Sequence, residues 1–198
     1  MKPAKQSKLD SYLAENAIIV VDIETTGFKP KESCILEIGI CKLDLNSGKC
    51  TKLFDETLRE PNLKPHDKNA WIFKNSNLTY KEILESKPLS YYRNEIQAIF
   101  DKYPATAFNK RFDLNFLKDR GFKLIELPCP MLKATNIIRL PPRKPNTLYK
   151  WPSVEESFAF YYPNERYVES HRGLDDAEHE ARIVYRMFTL GHWEPKIE

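Results

Sequence analysis

Two carboxylates, Asp22 and Glu24, follow the apolar run AIIVV at residues 17–21 almost without a break. Side chains at positions i and i+2 of a strand point the same way, so both acids would project from one face near the strand's carboxyl end. Neighbouring carboxylates repel each other, and oxygen ligands suit a hard divalent cation. The spacing therefore predicts a metal site. The alternative is a strand that ends at Val21, with both acids solvated in a loop.

The residues that follow, Thr25, Thr26 and Gly27, supply hydroxyls, backbone N–H groups and a flexible turn. These groups can hold a sugar or phosphate terminus beside the cation. With them, the segment DIETTG resembles the first motif of the DEDDh 3′-5′ exonucleases, the family of polymerase proofreading subunits, oligoribonuclease and ribonuclease T.

Two further segments resemble the second and third motifs of that family, in the same order. NKRFDLNFL matches the second motif with Asp113 as its acid, and HRGLDDA matches the third with His171 and Asp176. Gly173 stands where the third motif usually has alanine, which is a small-for-small change. ILEIG is also similar to the family's second strand, and together these segments span residues 18–188, nearly the whole domain.

The resemblance implies that Asp22, Glu24, Asp113 and Asp176 are metal ligands and that His171 is the general base. Taken alone, Asp113 would be an acid that interacts with a helix dipole, and His171 an ordinary surface or hydrogen-bonded histidine. The four carboxylates would offset the charge of two divalent ions, so the predicted cofactors are two Mg²⁺ or Mn²⁺. Two ions roughly 4 Å apart can activate an attacking water and stabilise the leaving 3′ oxygen. A histidine with an ordinary pKa of about 6.5 can accept that water's proton.

The third motif holds two adjacent acids, Asp175 and Asp176, and helix geometry distinguishes them. At about 100° per residue, Asp176 lies nearer than Asp175 to the apolar face of the predicted helix. That face contains Leu174, Ala177, Ala181, Val184 and Phe188. We therefore assign Asp176 as the ligand and Asp175 as a solvated acid.

Substrate contacts are predicted around the same site. They are Thr25, Thr26, Gly27, Phe28 and Asn109. Phe28 would stack on a terminal base, as aromatic side chains do in single-strand binders, or else pack in the core. A second set of basic residues would either track the nucleic-acid backbone or form an ordinary solvated face. This set comprises Lys110, Arg111, Arg139, Arg143, Lys144 and Lys150.

The predicted activity is metal-dependent 3′-5′ hydrolysis of phosphodiester bonds at the 3′ end of single-stranded DNA or RNA, with release of 5′-mononucleotides. One alternative is a non-catalytic nucleic-acid-binding or polymerase-associated module of the same fold, although the presence of every motif acid and the histidine favours an enzyme. Another is an endonuclease or other phosphodiesterase, which a circular substrate would distinguish. Some relatives are dimers, and a homodimer or a polymerase partner both stay open.

The pattern of elements predicts an α/β domain, a mixed central sheet flanked by helices, and the resemblance implies a ribonuclease H-like fold. Strands are expected at 17–22, 34–44 and 50–58, the last two as a hairpin around LNSG. Helices are expected within 65–100, followed by a short strand at 105–108, a helix that stops at Gly121, and a further strand. A proline-rich, basic loop at 139–152 then precedes a helix that Ser153 caps and a long helix at 174–190.

Composition limits the remaining choices. With 198 residues, 41% of them hydrophobic, the chain can bury one sizeable core. We expect an N-terminal extension at 1–16, the exonuclease domain at 17–192 and a C-terminal tail at 193–198. The net charge of +3 names no partner, and the four cysteines form no CxxC pair, which is typical of free thiols in a reducing cytoplasm. The lack of a signal peptide or a bilayer-length apolar run predicts a cytoplasmic protein without membrane association.

Overall fold

The computed structural model describes residues 16–142 and 148–196. Its four strands form one sheet in the order β3-β2-β1-β4. The strands are β1 (Ala17–Thr25), β2 (Ile35–Asp44), β3 (Cys50–Thr57) and β4 (Ala105–Thr106). The pairs β1–β2 and β2–β3 are antiparallel, whereas β1 and β4 run parallel. This mixed sheet, with helices around it, confirms the predicted α/β class.

Helices connect and cover the strands. After a 3₁₀ turn at Pro65–Asn69 they are α1 (Ile72–Asn75), α2 (Tyr80–Glu85), α3 (Leu89–Lys102), α4 (Lys110–Asp119), α5 (Pro130–Ile138), α6 (Val154–Tyr161) and α7 (Gly173–Thr189). Ser153 caps α6 as predicted, because its hydroxyl accepts the Glu156 N–H while the Glu156 carboxylate accepts the Ser153 N–H.

Both faces of β1 are buried, and each face packs against a different group of helices. Ile18 and Val20 belong to a core cluster with side chains of α5, α6 and α7. Ile19 and Val21 belong to a second cluster with side chains of α3 and α4. This arrangement explains why the opening run of β1 is continuously apolar rather than alternating.

Three elements differ from the predicted ones. β1 continues through Asp22 and Glu24 to Thr25, so the alternative in which these acids sit in a loop is wrong. β4 covers only two residues, Ala105–Thr106. The further strand expected after α4 is reduced in the described chain to a single bridge between Ala105 and Glu126.

Prolines account for the missing strand. Pro128 and Pro130 follow Glu126 closely and have no N–H to donate to a ladder. Pro130 instead occupies the first turn of α5, where a missing N–H costs nothing, and α5 is a helix that the sequence pattern did not predict.

Near the end of the described residues, one large side chain packs onto the domain. Trp193, which the predicted boundaries place in a tail, is buried among the residues that cover α7, and its indole N–H donates to the Pro128 carbonyl at 2.9 Å. The four cysteines are unbridged. Among the described helices, none combines the length and the hydrophobicity needed to cross a bilayer.

Candidate active site

A cavity of about 300 Å³ opens at the carboxyl end of β1. Asp22 and Glu24 reach it because they continue the strand face that begins with Ile18 and Val20, the face covered by α7. The described residues that line the cavity include five carboxylates and no lysine or arginine. These acids are Asp22, Glu24, Asp113, Glu169 and Glu180.

Asp113 comes from the neighbouring parallel connection. β4 leads into α4, and Asp113 lies in the first turn of that helix with 3% of its surface exposed. Its Oδ1 accepts the backbone N–H of Ile23 at 3.3 Å. This hydrogen bond ties the acid of α4 to the backbone between Asp22 and Glu24.

Asp176 and His171 come from the start of α7. Asp176 is almost fully buried, whereas Asp175 is half exposed, the orientation expected from helix geometry. Among the described residues, ligand atoms of Glu24, His171 and Asp176 lie within 4.8 Å of one another. Asp22 is not part of this tight group, although it shares the cavity with Glu24 and His171.

The loop before α7 holds the Asp176 carboxylate firmly. Oδ1 accepts the Tyr167 hydroxyl at 2.5 Å and the Ser170 N–H at 3.1 Å, while Oδ2 accepts the Arg172 N–H at 2.9 Å. His171, between Ser170 and Arg172, has a positive φ of 53°. A non-glycine residue rarely adopts this conformation, so the local hydrogen bonds must stabilise it.

Contacts with β2 fix the position of this loop. The Arg172 guanidinium binds the buried Glu37 carboxylate, with its Nε 3.0 Å from both carboxylate oxygens, and the Gly173 N–H donates to the same group at 3.1 Å. Glu37 is the strand partner of Glu24. The ion pair therefore joins the third motif to the strand beside the first.

Two glycines allow α7 to approach the sheet closely. Gly39 of β2 pairs with Asp22, and a Cβ added to it would lie only 2.0 Å from the Gly173 carbonyl carbon. A Cβ on Gly173 would lie 2.7 Å from the Gly39 nitrogen. Glycine at 173, where the family motif usually has alanine, therefore has a local steric reason. The contact brings Asp176 next to the strand that carries Asp22.

Burial and mutual repulsion keep protons on these acids in the absence of cations. Burial raises the pKa of Glu24 to about 9, with further contributions from Asp176 and Glu37. Burial likewise raises the pKa of Asp113 to about 7. The pKa of Asp22 is raised well above its usual range, first by burial and then by the charge of Glu24. Such shifts are expected where acids cluster without a neutralising partner.

The structure also supports the chemical fit of divalent cations. Asp22 Oδ2 is buried and accepts no hydrogen bond from the described residues. A buried polar atom without a partner is costly, and a cation in the cavity would satisfy it. The available donors are carboxylate oxygens and one imidazole nitrogen, a set that suits Mg²⁺ or Mn²⁺.

Two acids of the cavity were missed by sequence reasoning. Glu180 lies one turn after Asp176 on α7, is 3% exposed, and accepts the Phe108 N–H at 2.9 Å. Glu169 lies two residues before His171, and burial, followed by the charge of Asp176, raises its pKa to about 7. The burial of Glu180 follows the same helical face as Asp176, a signal that the i, i+4 spacing contains.

Two aromatic residues near the site also lacked an assigned role. Tyr167 donates to Asp176, as described above, and its ring stacks on His179 with centroids 4.1 Å apart. Trp71 lines the cavity and meets the His171 ring edge-on at 4.8 Å. Nothing in the sequence pattern distinguishes these rings from core aromatics.

The first predicted set of substrate contacts lies at the cavity. Thr25, Thr26, Gly27, Phe28 and Asn109 all line the cavity. However, the Thr25 hydroxyl donates to the Gly27 carbonyl and the Thr26 hydroxyl accepts the Cys34 N–H, so both also stabilise the turn. Phe28 is 87% exposed at the rim, which makes the alternative of a core phenylalanine wrong.

Most of the described basic residues in the second predicted set have partners within the protein. Lys110 donates to the Leu127 carbonyl, Lys150 pairs with Glu156, and Arg139 donates to the Asn136 carbonyl. Arg111 is exposed. Arg143 and Lys144 lie outside the described residues.

Comparison with known proteins agrees with this architecture. The chain matches the RNase_T exonuclease family over residues 19–184. Similar solved structures include the nuclease domain of 3′hExo, a DEDDh family member, bound to rAMP, at 18% identity and a TM-score of 0.65, with 93% of this chain and 96% of that chain covered. Cell-death related nuclease 4 shows 14% identity and a TM-score of 0.60, with 89% and 64% covered.

A further similar structure is E. coli exonuclease I with a dT13 oligonucleotide, at 13% identity and a TM-score of 0.63, with 89% of this chain and 42% of that chain covered. No curated protein matches the sequence. The solved structures establish the ribonuclease H-like fold that the motifs implied. The chain belongs to the exonuclease family, and its resemblance to the DEDDh group is confirmed.

Proposed function

We propose that the protein is a metal-dependent 3′-5′ exonuclease that removes 5′-mononucleotides from the 3′ end of single-stranded nucleic acid. The observation that carries this proposal is the convergence of Asp22, Glu24 and Asp113 in one cavity, next to His171 and Asp176. Family membership supports a nuclease, and the free oxygen of Asp22 supports bound cations.

In this proposal Asp22, Glu24, Asp113 and Asp176 hold two Mg²⁺ or Mn²⁺ ions. Bound ions of this kind would neutralise the acids and the scissile phosphate and lower the pKa of a coordinated water. The protein's own contribution is to keep the carboxylates in place. The Ile23 N–H orients Asp113, and the donors around residue 171 orient Asp176.

His171 is the proposed general base. Its ring lines the cavity within 4.8 Å of ligand atoms of Glu24 and Asp176, and Trp71 packs against one edge. A water in the cavity could therefore transfer its proton to the imidazole as it attacks the terminal phosphodiester bond. The nucleoside 3′ hydroxyl of the shortened strand is the leaving group.

The test is digestion of single-stranded DNA and RNA oligonucleotides labelled at the 5′ end, with Mg²⁺, with Mn²⁺ and with a chelator. We expect a ladder that shortens from the 3′ end and 5′-mononucleotides as the released product. Asp22→Asn and Asp176→Asn should abolish turnover. Asp175→Asn is the matched control, because its neighbouring carboxylate is half exposed and should not be needed for turnover.

Other products would contradict the proposal. Cleavage of a circular strand would indicate an endonuclease, and tight binding without turnover in either metal would indicate a non-catalytic module. Full activity of Asp22→Asn would show that the cavity is not the catalytic site.

A further inference from the structure

A second depression adjoins the active-site cavity. This rim groove has a volume of about 350 Å³, and its lining includes Phe28, Asn109, Arg111, Phe112 and Trp151. Three of these residues, Phe28, Asn109 and Phe112, also line the cavity, so the two spaces share a wall. If the 3′ end of a nucleic-acid strand occupies the cavity, the rest of the strand must run out either across this shared wall or across the opposite side of the cavity.

The surface of the rim groove suits an unpaired nucleotide. Trp151 is 58% exposed and Phe28 is 87% exposed, so both rings are accessible to a ligand. Every base has an aromatic face that can stack on such rings without regard to sequence. Phe28 and Phe112 meet edge-on with their ring centroids 6.3 Å apart. The exposed ring, that of Phe28, can still contact a ligand.

The charges of the two spaces also differ. The cavity is lined by acids, whereas the described lining of the rim groove holds no carboxylate and one cation, Arg111. Within residues 16–142 and 148–196, no ion pair engages Arg111. A phosphate of a bound strand that lies outside the cavity, in the rim groove, would therefore meet the positive charge of Arg111 and no carboxylate of the described lining.

We propose that the rim groove is a subsite for the penultimate nucleotide of the substrate, with Trp151 as a stacking surface and Arg111 as a phosphate contact. This inference rests on the proposed function, because it assumes that the 3′-terminal nucleotide fills the cavity. The proposed subsite predicts that the preferred substrate is a single strand with an intact base at the penultimate nucleotide of its 3′ end. Stacking is worth roughly 5- to 150-fold in affinity per base.

The test combines a protein change with a substrate change. Binding of a fluorescent single-stranded oligonucleotide is measured by anisotropy in an Asp22→Asn background, which removes turnover, with Mg²⁺ present. The substrates are an intact strand, a strand that is abasic at the penultimate position, and a strand that is abasic several nucleotides upstream. The proteins are the background itself and the same protein with Trp151→Ala or Tyr91→Ala. Tyr91 is an exposed aromatic that lines neither space.

We expect Trp151→Ala and the penultimate abasic site each to weaken binding roughly 5- to 150-fold, and the two together to weaken it no further than one alone. Tyr91→Ala and the upstream abasic site should have little effect. Arg111→Ala should weaken all strands alike and flatten the salt dependence by about one phosphate contact. Independent, multiplicative losses, or no loss with Trp151→Ala, would overturn the subsite.

This readout separates the inference from the proposed function. If the wild-type protein cleaves oligonucleotides but the two changes are not coupled, only the subsite is wrong. If the wild-type protein never cleaves but the coupling is present, the groove binds a strand and the catalytic proposal is wrong.

Discussion

A single oxygen, Asp22 Oδ2, shows most clearly what the cavity lacks without cations. It is buried and has no hydrogen-bond partner among the described residues. Leaving such an atom unpaired costs about 1–3 kcal/mol, and more for a charged group. A bound cation would remove this cost, and the acids around Asp22 make it a stabilising partner once the pH is high enough to ionise them.

The proposed role of His171 leads to a prediction about turnover. His171→Ala should lower kcat by about 10²- to 10⁴-fold, the usual contribution of a positioned general base. The measurement is steady-state cleavage of a labelled oligonucleotide at saturating Mg²⁺, together with its pH profile. His66→Ala is the control, because this exposed histidine lies in the 3₁₀ turn and does not line the cavity. A wild-type kcat for His171→Ala would reject the role.

Glu180 leads to a prediction about stability. Its carboxylate accepts the Phe108 N–H, and this bond links α7 to the segment that precedes α4. Glu180→Gln keeps an acceptor at this position, whereas Glu180→Leu leaves the N–H buried without one. We expect the Leu variant to lose about 1–3 kcal/mol of unfolding free energy and the Gln variant to lose much less. Urea denaturation in the presence of a chelator measures the unfolding free energy of both variants. Equal values for the two would show that the hydrogen bond is unimportant for stability.

At this scale, the sequence predicts residues whose spacing is constrained by a motif. Asp22, Glu24, Asp113, His171 and Asp176 stand at such spacings. The structure places the first four in the lining of one cavity and Asp176 next to Glu24 and His171. Glu180 does not, because the segment AEHEAR looks like an ordinary charged helix surface. Its burial depends on how close α7 lies to β4 and α4, and that distance is set by tertiary packing.

Among the elements, the contact between β2 and α7 is the most sensitive to side-chain size. Gly39 and Gly173 touch through their backbones, directly beside the strand position of Asp22. Protein interiors are close-packed, so a methyl group at this point has nowhere to go. The distance between the strand and the helix therefore determines how well Asp176 can meet Glu24.

A methyl group on either glycine should accordingly separate the proposed metal ligands. Gly39→Ala should lower the unfolding free energy by about 1–3 kcal/mol, the usual cost of overpacking. It should also raise the Mg²⁺ concentration that is needed for half-maximal cleavage. Gly173→Ala should be milder, because its Cβ would lie 2.7 Å from the Gly39 nitrogen instead of 2.0 Å from a carbonyl carbon. Activity measured against Mg²⁺ concentration tests this order, and equal behaviour of both variants would contradict it.

The sequence predicts elements best where local patterns decide them. The hairpin of β2 and β3 and the capped α6 follow from turn residues and from Ser153. The short β4 and the missing further strand do not, because the number of ladder bonds depends on which neighbour is available. The prolines near Glu126 show how local chemistry can also remove a strand.

For the molecule as a whole, the clustered acids predict an unusual pH dependence of stability. Glu24, with its pKa raised from 4.5 to about 9, keeps a proton in the folded state that the unfolded chain has already released. The folded state is therefore favoured at low pH, and this advantage is lost as the pH rises through that window. Asp113 acts in the same direction between 3.8 and about 7.

We therefore expect the melting temperature of the chelated protein to fall as the pH rises from about 5 to about 9, and the rise on adding Mg²⁺ to grow over the same range. Differential scanning fluorimetry with and without Mg²⁺ measures both trends. Glu24→Gln should flatten them, because it removes a carboxyl whose pKa is raised to about 9 in the folded state. A Mg²⁺ effect that does not change with pH would contradict the shared origin of these trends.

The separation of β1 and α7 along the chain has a consequence during synthesis. Asp22 and Glu24 leave the ribosome with β1, well before His171 and the helix that carries Asp176. Until that helix docks, a nascent chain lacks part of the proposed ligand set and does not hold the proposed base in place. A translation product that stops before α7 would therefore lack the proposed site, and the proposed activity would arise only after α7 has been synthesised and has docked.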